Sequence, residues 1–424
     1  MAARLTAKMV DAAVAVLERM LSFAQPADGV MSLFFRDRKD LGMRERAFVA
    51  ETAYSVLRRR RTLMALCRAA GDQDPPARHL ALAALMRFAG HGQRQLAEVL
   101  PASQAEWLAR LKAAPDPVLG IAERADLPDW LAERLSATLD AEELMALARG
   151  LNQPAPLDLR INPLRADRET VLARLAEGGI EGAPCPWAPL GIRLATKPAL
   201  ARHPLYLEGL VEVQDEGSQL LGHLVAPKRG EMVVDFCAGA GGKTLLLGAL
   251  MRSTGRLYAF DVADRRLAKL KPRVARAGLS NVHPACIAGE NDARIKRLAG
   301  KVDRVLVDAP CSGLGTLRRN PDLKWRQTPE SVAELSRKQG DILAGASRLL
   351  KPGGRLVYAT CSLLREENSA IVAVFLASHP QFRRLSAREI LAAQGIGIDC
   401  GEEMMLLPHV HGTDGFYAAV LERI

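Results

Sequence analysis

The first third of the chain carries a purely helical pattern of apolar and polar positions. The segments "LTAKMVDAAVAVLERML" and "RERAFVAETAYSVLRRRRTLMALCRAAG" place apolar side chains three and four residues apart, as at Phe48, Val49, Ala53 and Leu57. A glycine ends the second segment, and the stretches "GDQDPPAR" and "APDPVLG" interrupt the later pattern. The pattern predicts an all-helical domain over residues 1–145, with roughly five to seven helices.

The pattern changes near residue 155. "PLDLRINPL" is typical of a strand, and "DRETVLARLAEGG" is typical of a helix that Asp167 caps and two glycines end. The segments "GIRLA" and "LVEVQD" predict further short strands. We therefore expect a small α+β insert over residues 146–227.

From residue 228 onward, short apolar runs alternate with helical segments, which predicts a parallel sheet buried on both faces. The predicted strands are "EMVVDF", "GRLYAFD", "NVHPACI", "VDRVLVDAP" and "GRLVYATCS", followed by a last strand in "DGFYAAVLER" that we expect at an edge. Ligands of such sheets bind outside the carboxyl ends of the strands. Asp235, Asp261, Asp308 and Cys361 all fall at these ends.

The loop in "VVDFCAGAGGKTLLL" follows the first of these strands. A P-loop would need a glycine where Cys237 stands. The alternative pattern is an acid followed by small residues at alternate positions, and Asp235, Cys237, Gly239 and Gly241 fit it. Asp261 at the next strand end would hold a ribose. Because Asp308 could serve as the acid of a Walker B motif, the loop by itself leaves an ATPase as an alternative.

Two thiols follow neighbouring strands, Cys311 in "DAPCSGLGT" and Cys361 in "ATCSLLREEN". A thiol beside a ligand crevice suits attack on an otherwise unreactive carbon. Addition of a thiolate to carbon 6 of cytosine makes carbon 5 nucleophilic enough to accept a methyl group, and an acid such as Asp308 can hydrogen-bond the base as charge develops. The residues alone leave open which thiol attacks.

Five segments resemble motifs of the RsmB/Fmu/Sun family of RNA cytosine-5 methyltransferases: "VQDEGSQL", "DFCAGAGGKT", "DAPCSGLGTLRRNPDLKW", "ATCSLLREEN" and "GTDGFYAAVL". The resemblance covers about residues 155–424, and "RERAFVAETAYSVLR" resembles the NusB-like RNA-binding domain of bacterial members. It implies an α/β fold with a Rossmann-like class I S-adenosylmethionine-dependent methyltransferase sheet over residues 228–424, preceded by the α+β insert and the helical domain.

The resemblance also implies roles for individual residues. Cys361 would attack carbon 6, Cys311 would assist release of the methylated base, and Asp308 would lie between cofactor and cytosine. Asp261 would hold the ribose of S-adenosylmethionine. The loop that would wrap its methionine part comprises Cys237, Ala238, Gly239, Ala240, Gly241, Gly242 and Lys243. In the family this loop usually reads "CAAPGGK", so Gly239 and Ala240 depart from the pattern, and the acid near the adenine has no clear counterpart around Ala288.

The implied substrate is ribosomal RNA of the small subunit, with transfer RNA as the alternative. A net charge of +10 permits such a polyanionic partner. With aromatic residues at 4%, a flipped or single-stranded cytosine fits better than an extended stacking surface. Candidate RNA contacts are Arg160, Asn162, Arg318, Arg319 and Lys324. A rival hypothesis is an RNA-binding or antitermination factor that keeps the sheet as a scaffold. It predicts that catalytic residues are lost, whereas Cys311, Cys361, Asp308 and Asp261 are all present.

Composition adds three expectations. The seven cysteines include no C-x-x-C pair, so we predict neither a disulfide framework nor a metal site. No uncharged run reaches the roughly 18 residues that a membrane span needs, and no secretory signal precedes the first helix. We therefore expect a cytoplasmic protein without membrane association, and a monomer.

Overall fold

The computed structural model describes residues 5–424, which form two compact units. The first unit runs to Gln153 and also includes Thr316–Thr328. The second unit comprises Pro154–Gly315 and Pro329–Ile424. The chain therefore leaves the second unit after Gly315 and returns to it at Pro329. The division into domains at residues 145 and 227 stays a prediction.

The first unit is helical, as predicted, but between residues 5 and 153 it has more helices than predicted. They are α1 (Ala7–Met20), α2 (Ala27–Asp37), α3 (Met43–Arg58), α4 (Arg60–Ala69), α5 (Ala77–Arg87), α6 (Gln93–Ala97), α7 (Ala102–Ala113), α8 (Ile121–Arg124), α9 (Asp129–Ser136) and α10 (Ala141–Leu151). The long predicted helix is divided at Arg59, whose φ of −117° and ψ of 28° are not helical. The short α6 and α8 lie in stretches whose periodicity is too brief to detect.

The core of the first unit is formed by the apolar faces of α1, α3 and α5. Thr6 caps α1 by accepting a hydrogen bond from the backbone N–H of Met9, and Leu17 and Leu57 are fully buried. The basic cluster at Arg58–Arg61 is tied to this unit. Arg60, for example, stacks on Phe23, and Arg61 hydrogen-bonds the carbonyl of Leu127.

A small antiparallel sheet opens the second unit, with strand order β2-β3-β1-β4. Its strands are β1 (Leu157–Ile161), β2 (Gly182–Pro184), β3 (Gly191–Leu194) and β4 (Val211–Val213). The helices around it are α11 (Arg168–Glu177), α12 (Pro204–Leu207) and α13 (Glu216–Val225), with a 3-10 turn at Leu200–Arg202. Asp167 caps α11 by accepting from the N–H of Thr170 at 2.7 Å, as predicted. Strand β2 was not predicted, because three residues ending in proline carry no alternating pattern.

The large sheet has the order β10-β12-β9-β8-β5-β6-β7, with β11 paired to β12. Its strands are β5 (Met232–Asp235), β6 (Arg256–Asp261), β7 (Val282–Cys286), β8 (Val302–Asp308), β9 (Leu350–Thr360), β10 (Phe382–Leu385), β11 (Met404–Leu406) and β12 (Phe416–Arg423). The remaining helices are α14 (Gly242–Leu250), α15 (Asp264–Ala277), α16 (Ala293–Arg297), α17 (Leu323–Arg326), α18 (Pro329–Ser347), α19 (Ser369–Ser378), α20 (Ala387–Ala392) and α21 (Pro408–His411), with 3-10 turns at Leu314–Thr316 and Arg365–Glu367.

Strands β5 to β9 are parallel, which confirms the predicted parallel sheet. The prediction that the last strand lies at an edge is wrong. Strand β12 lies between β9 and β10 and is antiparallel to both. Its residues Phe416–Leu421 are buried without interruption, as expected for a strand covered on both faces and both sides.

The strand order reverses direction between β5 and β8, because β6 and β7 continue on one side of β5 while β8 and β9 continue on the other. Such a switch point opens a crevice at the carboxyl ends of the two strands. Within residues 5–424, no helix combines the length and the apolar character that crossing a bilayer requires.

Candidate active site

A cavity of about 740 Å³ lies at this switch point. Its walls come from the segments that follow β5, β6, β7, β8 and β9, and from one face of α18. Asp261, Asp308 and both thiols line it, as do all the sequence-predicted loop residues except Gly241. A volume of this size suits a nucleoside-sized cofactor together with a reacting base.

The glycine loop connects β5 to α14 with a backbone that only small residues allow. Gly239 and Gly241 have φ values of +57° and +85°, in the left-handed region. A Cβ at Gly241 would collide with the side chain of Leu270 on α15. The loop is closed by a hydrogen bond from the N–H of Gly241 to the carbonyl of Ala238 at 2.8 Å.

Asp261 holds this loop as well as facing the cavity. Its Oδ2 accepts from the N–H of Gly239 at 2.8 Å, and its Oδ1 accepts from the N–H of Ala263 at 2.7 Å. Each carboxylate oxygen can accept a second hydrogen bond, so the hydroxyls of a ribose can still be bound. The predicted position of Asp261 at the end of β6 is therefore compatible with the predicted role.

A buried and a half-buried arginine fix the carbonyl groups of the loop. Arg160 of β1 donates to the carbonyl of Gly242 at 2.6 Å, and Arg273 of α15 donates to the carbonyl of Ala240 at 2.6 Å. Glu212 of β4 accepts from Arg273 at 2.9 Å. These contacts restrain a loop that lacks the proline usual in the motif, and the sequence offered no signal for them.

The structure contradicts the prediction that Arg160 contacts RNA. The residue is only 4% exposed and also hydrogen-bonds the side chain of Gln214. Burial lowers the pKa of Arg160 to about 10, so it is still charged at neutral pH. Asn162 is buried too, and its amide donates to the carbonyls of Gly209 and Ala277 at 3.1 and 2.9 Å. Both residues stabilise the fold rather than present a surface to RNA.

The predicted RNA contacts after the Cys311 loop lie in the first unit. Lys324 is 1% exposed and donates to the carbonyl of Arg58 at 2.8 Å, and burial lowers its pKa to about 7. Arg318 is also buried, and its carbonyl accepts from Arg58. The structure therefore contradicts RNA contact by these two side chains. Arg319 is partly exposed, and its RNA contact stays a prediction.

Lys243 and Asp308 form an ion pair inside the cavity, with Nζ and Oδ2 2.7 Å apart. Burial opposes the charge of Lys243, but the nearby Asp308 carboxylate outweighs it and raises the pKa of Lys243. The amine therefore stays protonated. It keeps Asp308 oriented at the end of β8, between the glycine loop and the thiols.

Asp235 is buried at the end of β5, and burial raises the pKa of its carboxyl to about 7. The Thr244 hydroxyl hydrogen-bonds Oδ2 at 2.6 Å. Its Oδ1 is buried and has no hydrogen-bond partner among the described residues. Since Asp235 also lines the cavity, a bound cation or donor would satisfy this oxygen.

The structure brings the two thiols together. The Sγ atoms of Cys311 and Cys361 are 3.3 Å apart, and the N–H of Cys361 donates to the Sγ of Cys311 at 3.3 Å. The hydrogen bond with Cys361 and burial raise the pKa of Cys311 well above the usual value of a thiol. Cys311 therefore stays protonated at neutral pH.

A buried acid that sequence reasoning missed, Glu367, lies under both thiols. Its carboxylate accepts hydrogen bonds from Ser312 and Ser362, the residues that follow the two cysteines. The only available signal was the serine after each cysteine, in "PCSG" and "TCSL". The segment after β7, in which the sequence shows no clear acid for an adenine, contributes Ile287, Gly289 and Glu290 to the cavity wall.

A second cluster of acids lies in the small sheet, where Asp158, Glu216 and Cys185 approach one another. Arg193 occupies the space between the two carboxylates, donating to Asp158 at 2.8 Å and to Glu216 at 3.1 Å. The guanidinium offsets part of their negative charge. The cluster is a buried ion-pair network that joins β1, β3 and α13.

Comparisons with known proteins agree with this architecture. The family profile described as 16S rRNA methyltransferase RsmB/F matches residues 222–422, and the RsmF/B-like ferredoxin-like domain matches residues 127–201. A probable ribosomal RNA small subunit methyltransferase B from Synechocystis is 35% identical over 413 residues, which cover 89% of this chain and 91% of that protein. The chain belongs to the RsmB/F family. The predicted resemblance is thereby confirmed.

Solved structures share the fold of this RsmB/F protein. The crystal structure of PH0851 covers 100% of both chains with a TM-score of 0.80 and 26% identity. A methyltransferase homologue from Pyrococcus horikoshii covers 72% of this chain and 98% of its own, with a TM-score of 0.61 and 29% identity. The Rossmann-like methyltransferase fold is confirmed, and the protein is an S-adenosylmethionine-dependent methyltransferase.

The cavity fits this cofactor. The orphaned Oδ1 of Asp235 can accept from the amino group of the methionine part, and the glycine loop lets the backbone approach it closely. Asp261 can hold the ribose hydroxyls. The RsmB/F family's cofactor thus accounts for the cavity without a P-loop, and the ATPase alternative loses its basis.

Proposed function

We propose that the protein methylates carbon 5 of a cytosine in RNA, and that this RNA is ribosomal RNA of the small subunit. The observation that carries the proposal is the thiol pair: Cys311 and Cys361 lie 3.3 Å apart beside a cofactor cavity that also holds Asp308. Methyl transfer to oxygen or nitrogen has no need of a nucleophilic thiol, whereas transfer to an unreactive ring carbon does. The name of the Synechocystis relative supports ribosomal RNA as the substrate.

In the proposed reaction, Cys361 gives up its proton and its Sγ forms a bond to carbon 6 of the cytosine. The electron pair of the carbon 5–carbon 6 double bond forms a double bond between carbon 4 and carbon 5, the electron pair of the carbon 4–nitrogen 3 double bond moves onto nitrogen 3, and nitrogen 3 takes up the proton that Cys361 gave up. Asp308, oriented by Lys243, accepts hydrogen bonds from the N–H of nitrogen 3 and from the amino group. The bound cofactor supplies the methyl group as an electrophile for carbon 5.

Release requires that the proton of carbon 5 pass to water. The electron pair of that C–H bond restores the double bond, the carbon 6–sulfur bond breaks, and Cys361 departs as a thiolate that then takes back the proton of nitrogen 3. Because Cys311 keeps its proton, its S–H can donate to the departing sulfur 3.3 Å away and stabilise its negative charge. This gives Cys361 the role of nucleophile and Cys311 the role of assisting release.

The test uses the Cys311→Ala variant, incubated with S-adenosylmethionine and small-subunit RNA and then run on a denaturing gel. We expect a slowly migrating protein–RNA adduct, because attack proceeds while release is impaired. The adduct should disappear when Cys361 is also replaced by alanine. Transfer RNA in a parallel reaction tests the alternative substrate.

Other outcomes would overturn specific parts of the proposal. An adduct that forms with Cys361→Ala and depends on Cys311 would reverse the two roles. Adduct formation with transfer RNA but not with ribosomal RNA would change the substrate. Absence of an adduct in every variant, with no methyl transfer by the wild type to any RNA, would favour the scaffold hypothesis.

RNA binding by the helical first unit, its NusB-like character, the cytoplasmic location and the monomeric state remain predictions.

A further inference from the structure

Glu367 is a fully buried acid whose hydrogen bonds all come from neutral donors. The exposed fraction of the residue is 0%. Its Oε1 accepts from the N–H of Ser312 at 2.8 Å and from Gln339 at 3.0 Å. Its Oε2 accepts from the hydroxyls of Ser312 and Ser362, both at 2.5 Å. Burying a carboxylate costs free energy of folding, and hydrogen bonds from such donors offset that cost.

The four donors belong to three separate segments of the chain. Ser312 follows Cys311 in the loop after β8, and Ser362 follows Cys361 in the loop after β9. Gln339 of α18 also donates to the carbonyl of Pro310 at 2.9 Å, on the other side of Cys311. One carboxylate thus joins the two loops that carry the thiols to the helix beside them.

Further hydrogen bonds fix the backbone at Glu367 and Asn368. Its carbonyl accepts from the hydroxyl of Tyr358 at 2.6 Å. The next residue, Asn368, donates to the carbonyl of Ser362 at 3.0 Å and hydrogen-bonds Thr360 at 2.5 Å. The carboxylate therefore has a fixed position relative to β9, and its hydrogen bonds fix the positions of both serines.

We propose that Glu367 is a positioning residue that sets the separation between the two thiols. The proposal rests on the proposed function, in which the thiols act on the same base: one bonds to carbon 6 and the other donates to that same sulfur. Both must therefore stay within hydrogen-bond distance while a cytosine occupies the cavity. A displacement of about 1 Å of a reacting group can cost about 100-fold in rate.

The decisive variant is Glu367→Gln, which keeps the shape of the side chain but leaves one oxygen in place of two. At least two of the four donors then lack their acceptor, so the two loops should move relative to each other. The matched control is Glu389→Gln, the same chemical change at an exposed position of α20.

The first readout is the geometry of the thiols in the apoprotein. Dibromobimane links two neighbouring thiols, and the bridged peptides that contain Cys311 and Cys361 can be quantified by mass spectrometry. We expect Glu367→Gln to give at least several-fold less of this bridge than wild type and Glu389→Gln. Equal bridging in all three proteins would overturn the proposal, and this readout does not depend on whether RNA is the substrate.

The second readout is methyl transfer to small-subunit RNA. We expect kcat to fall by about 100-fold in Glu367→Gln, with S-adenosylmethionine affinity within about twofold of wild type, because Glu367 is not among the residues that line the cavity. An unchanged kcat, or a loss that lies entirely in cofactor binding, would contradict a positioning role. If wild type bridges its thiols but methylates no RNA, the proposed function fails while the bridging test still decides the role of Glu367.

If Glu367→Gln does not fold, the Ser312→Ala and Ser362→Ala variants replace it. Each removes one hydroxyl and leaves the other donors of the carboxylate in place. Both should reduce bridging and kcat in the same direction, by less than Glu367→Gln would. Wild-type values in both variants would overturn the proposal.

Discussion

At the scale of single residues, the site is organised by acids in different environments. Asp261 is bound by two backbone N–H groups, Asp308 by the Lys243 ammonium, and Asp235 has one oxygen with no described partner. The three acids also repel one another, which adds to the effect of burial in raising the pKa of Asp235. A cationic cofactor relieves this accumulation of negative charge.

The raised pKa of Asp235 predicts a pH dependence of stability in the apoprotein. In the unfolded chain this carboxyl loses its proton near pH 4, whereas in the fold it keeps the proton up to about pH 7. Its stabilising contribution is therefore fully present below pH 4 and is lost as the pH rises through 7, by up to about 4 kcal/mol. Asp235→Asn should lack this part of the pH dependence. Denaturant unfolding of both proteins between pH 4 and pH 8 measures the difference, and parallel curves would contradict the prediction.

At the scale of elements, the cofactor loop depends on strands and helices outside the β5–α14 connection. Arg160 comes from the small sheet and Arg273 from α15, and each fixes one carbonyl of the loop. Because Glu212 of β4 accepts a hydrogen bond from Arg273 and its negative charge also acts on Arg160, the small sheet contributes directly to the shape of the cofactor site.

We predict that Arg160→Met and Arg273→Met weaken S-adenosylmethionine binding. A lost hydrogen bond from a charged donor costs about 1.5–3 kcal/mol, which corresponds to roughly 10- to 150-fold in Kd if the bound loop needs the contact. Arg174→Met, which removes an exposed ion pair with Glu208, is the control. Titration calorimetry measures the three affinities, and equal values would show that the loop holds its shape without the arginines.

The sequence predicts the strands of the large sheet better than it predicts the partners of the buried charged residues. Strands β5, β6, β8 and β9 were predicted because short apolar runs between glycine and proline signals mark buried parallel strands. The interior position of β12 could not be predicted, since the neighbours of a strand depend on pairing between distant segments. The partners of Arg160 and Lys324 are likewise remote in sequence, as are Ser312 and Gln339 from Glu367, and charged residues are otherwise expected at the surface.

At the scale of the whole molecule, the connectivity makes the helical first unit depend on a distant part of the chain. The segment Thr316–Thr328 belongs to this unit although it follows the Cys311 loop. Trp325 donates to the carbonyl of Leu57 at 2.8 Å, Lys324 donates to that of Arg58, and Asp322 accepts from the N–H of Ala27 at 3.1 Å. An N-terminal fragment that ends at residue 153 would leave these backbone groups without partners.

We therefore predict that a synthetic peptide of residues 316–328 stabilises a fragment of residues 1–153 against unfolding. Each of the three backbone contacts contributes about 1 kcal/mol, so saturating peptide should raise the Tm of the fragment by several degrees. A peptide with Trp325→Ala and Lys324→Ala should have little effect, because it loses two of the contacts and the half-buried indole ring. Thermal unfolding with each peptide measures the shifts. Equal shifts, or none with the native peptide, would mean that the fragment completes its fold without this segment.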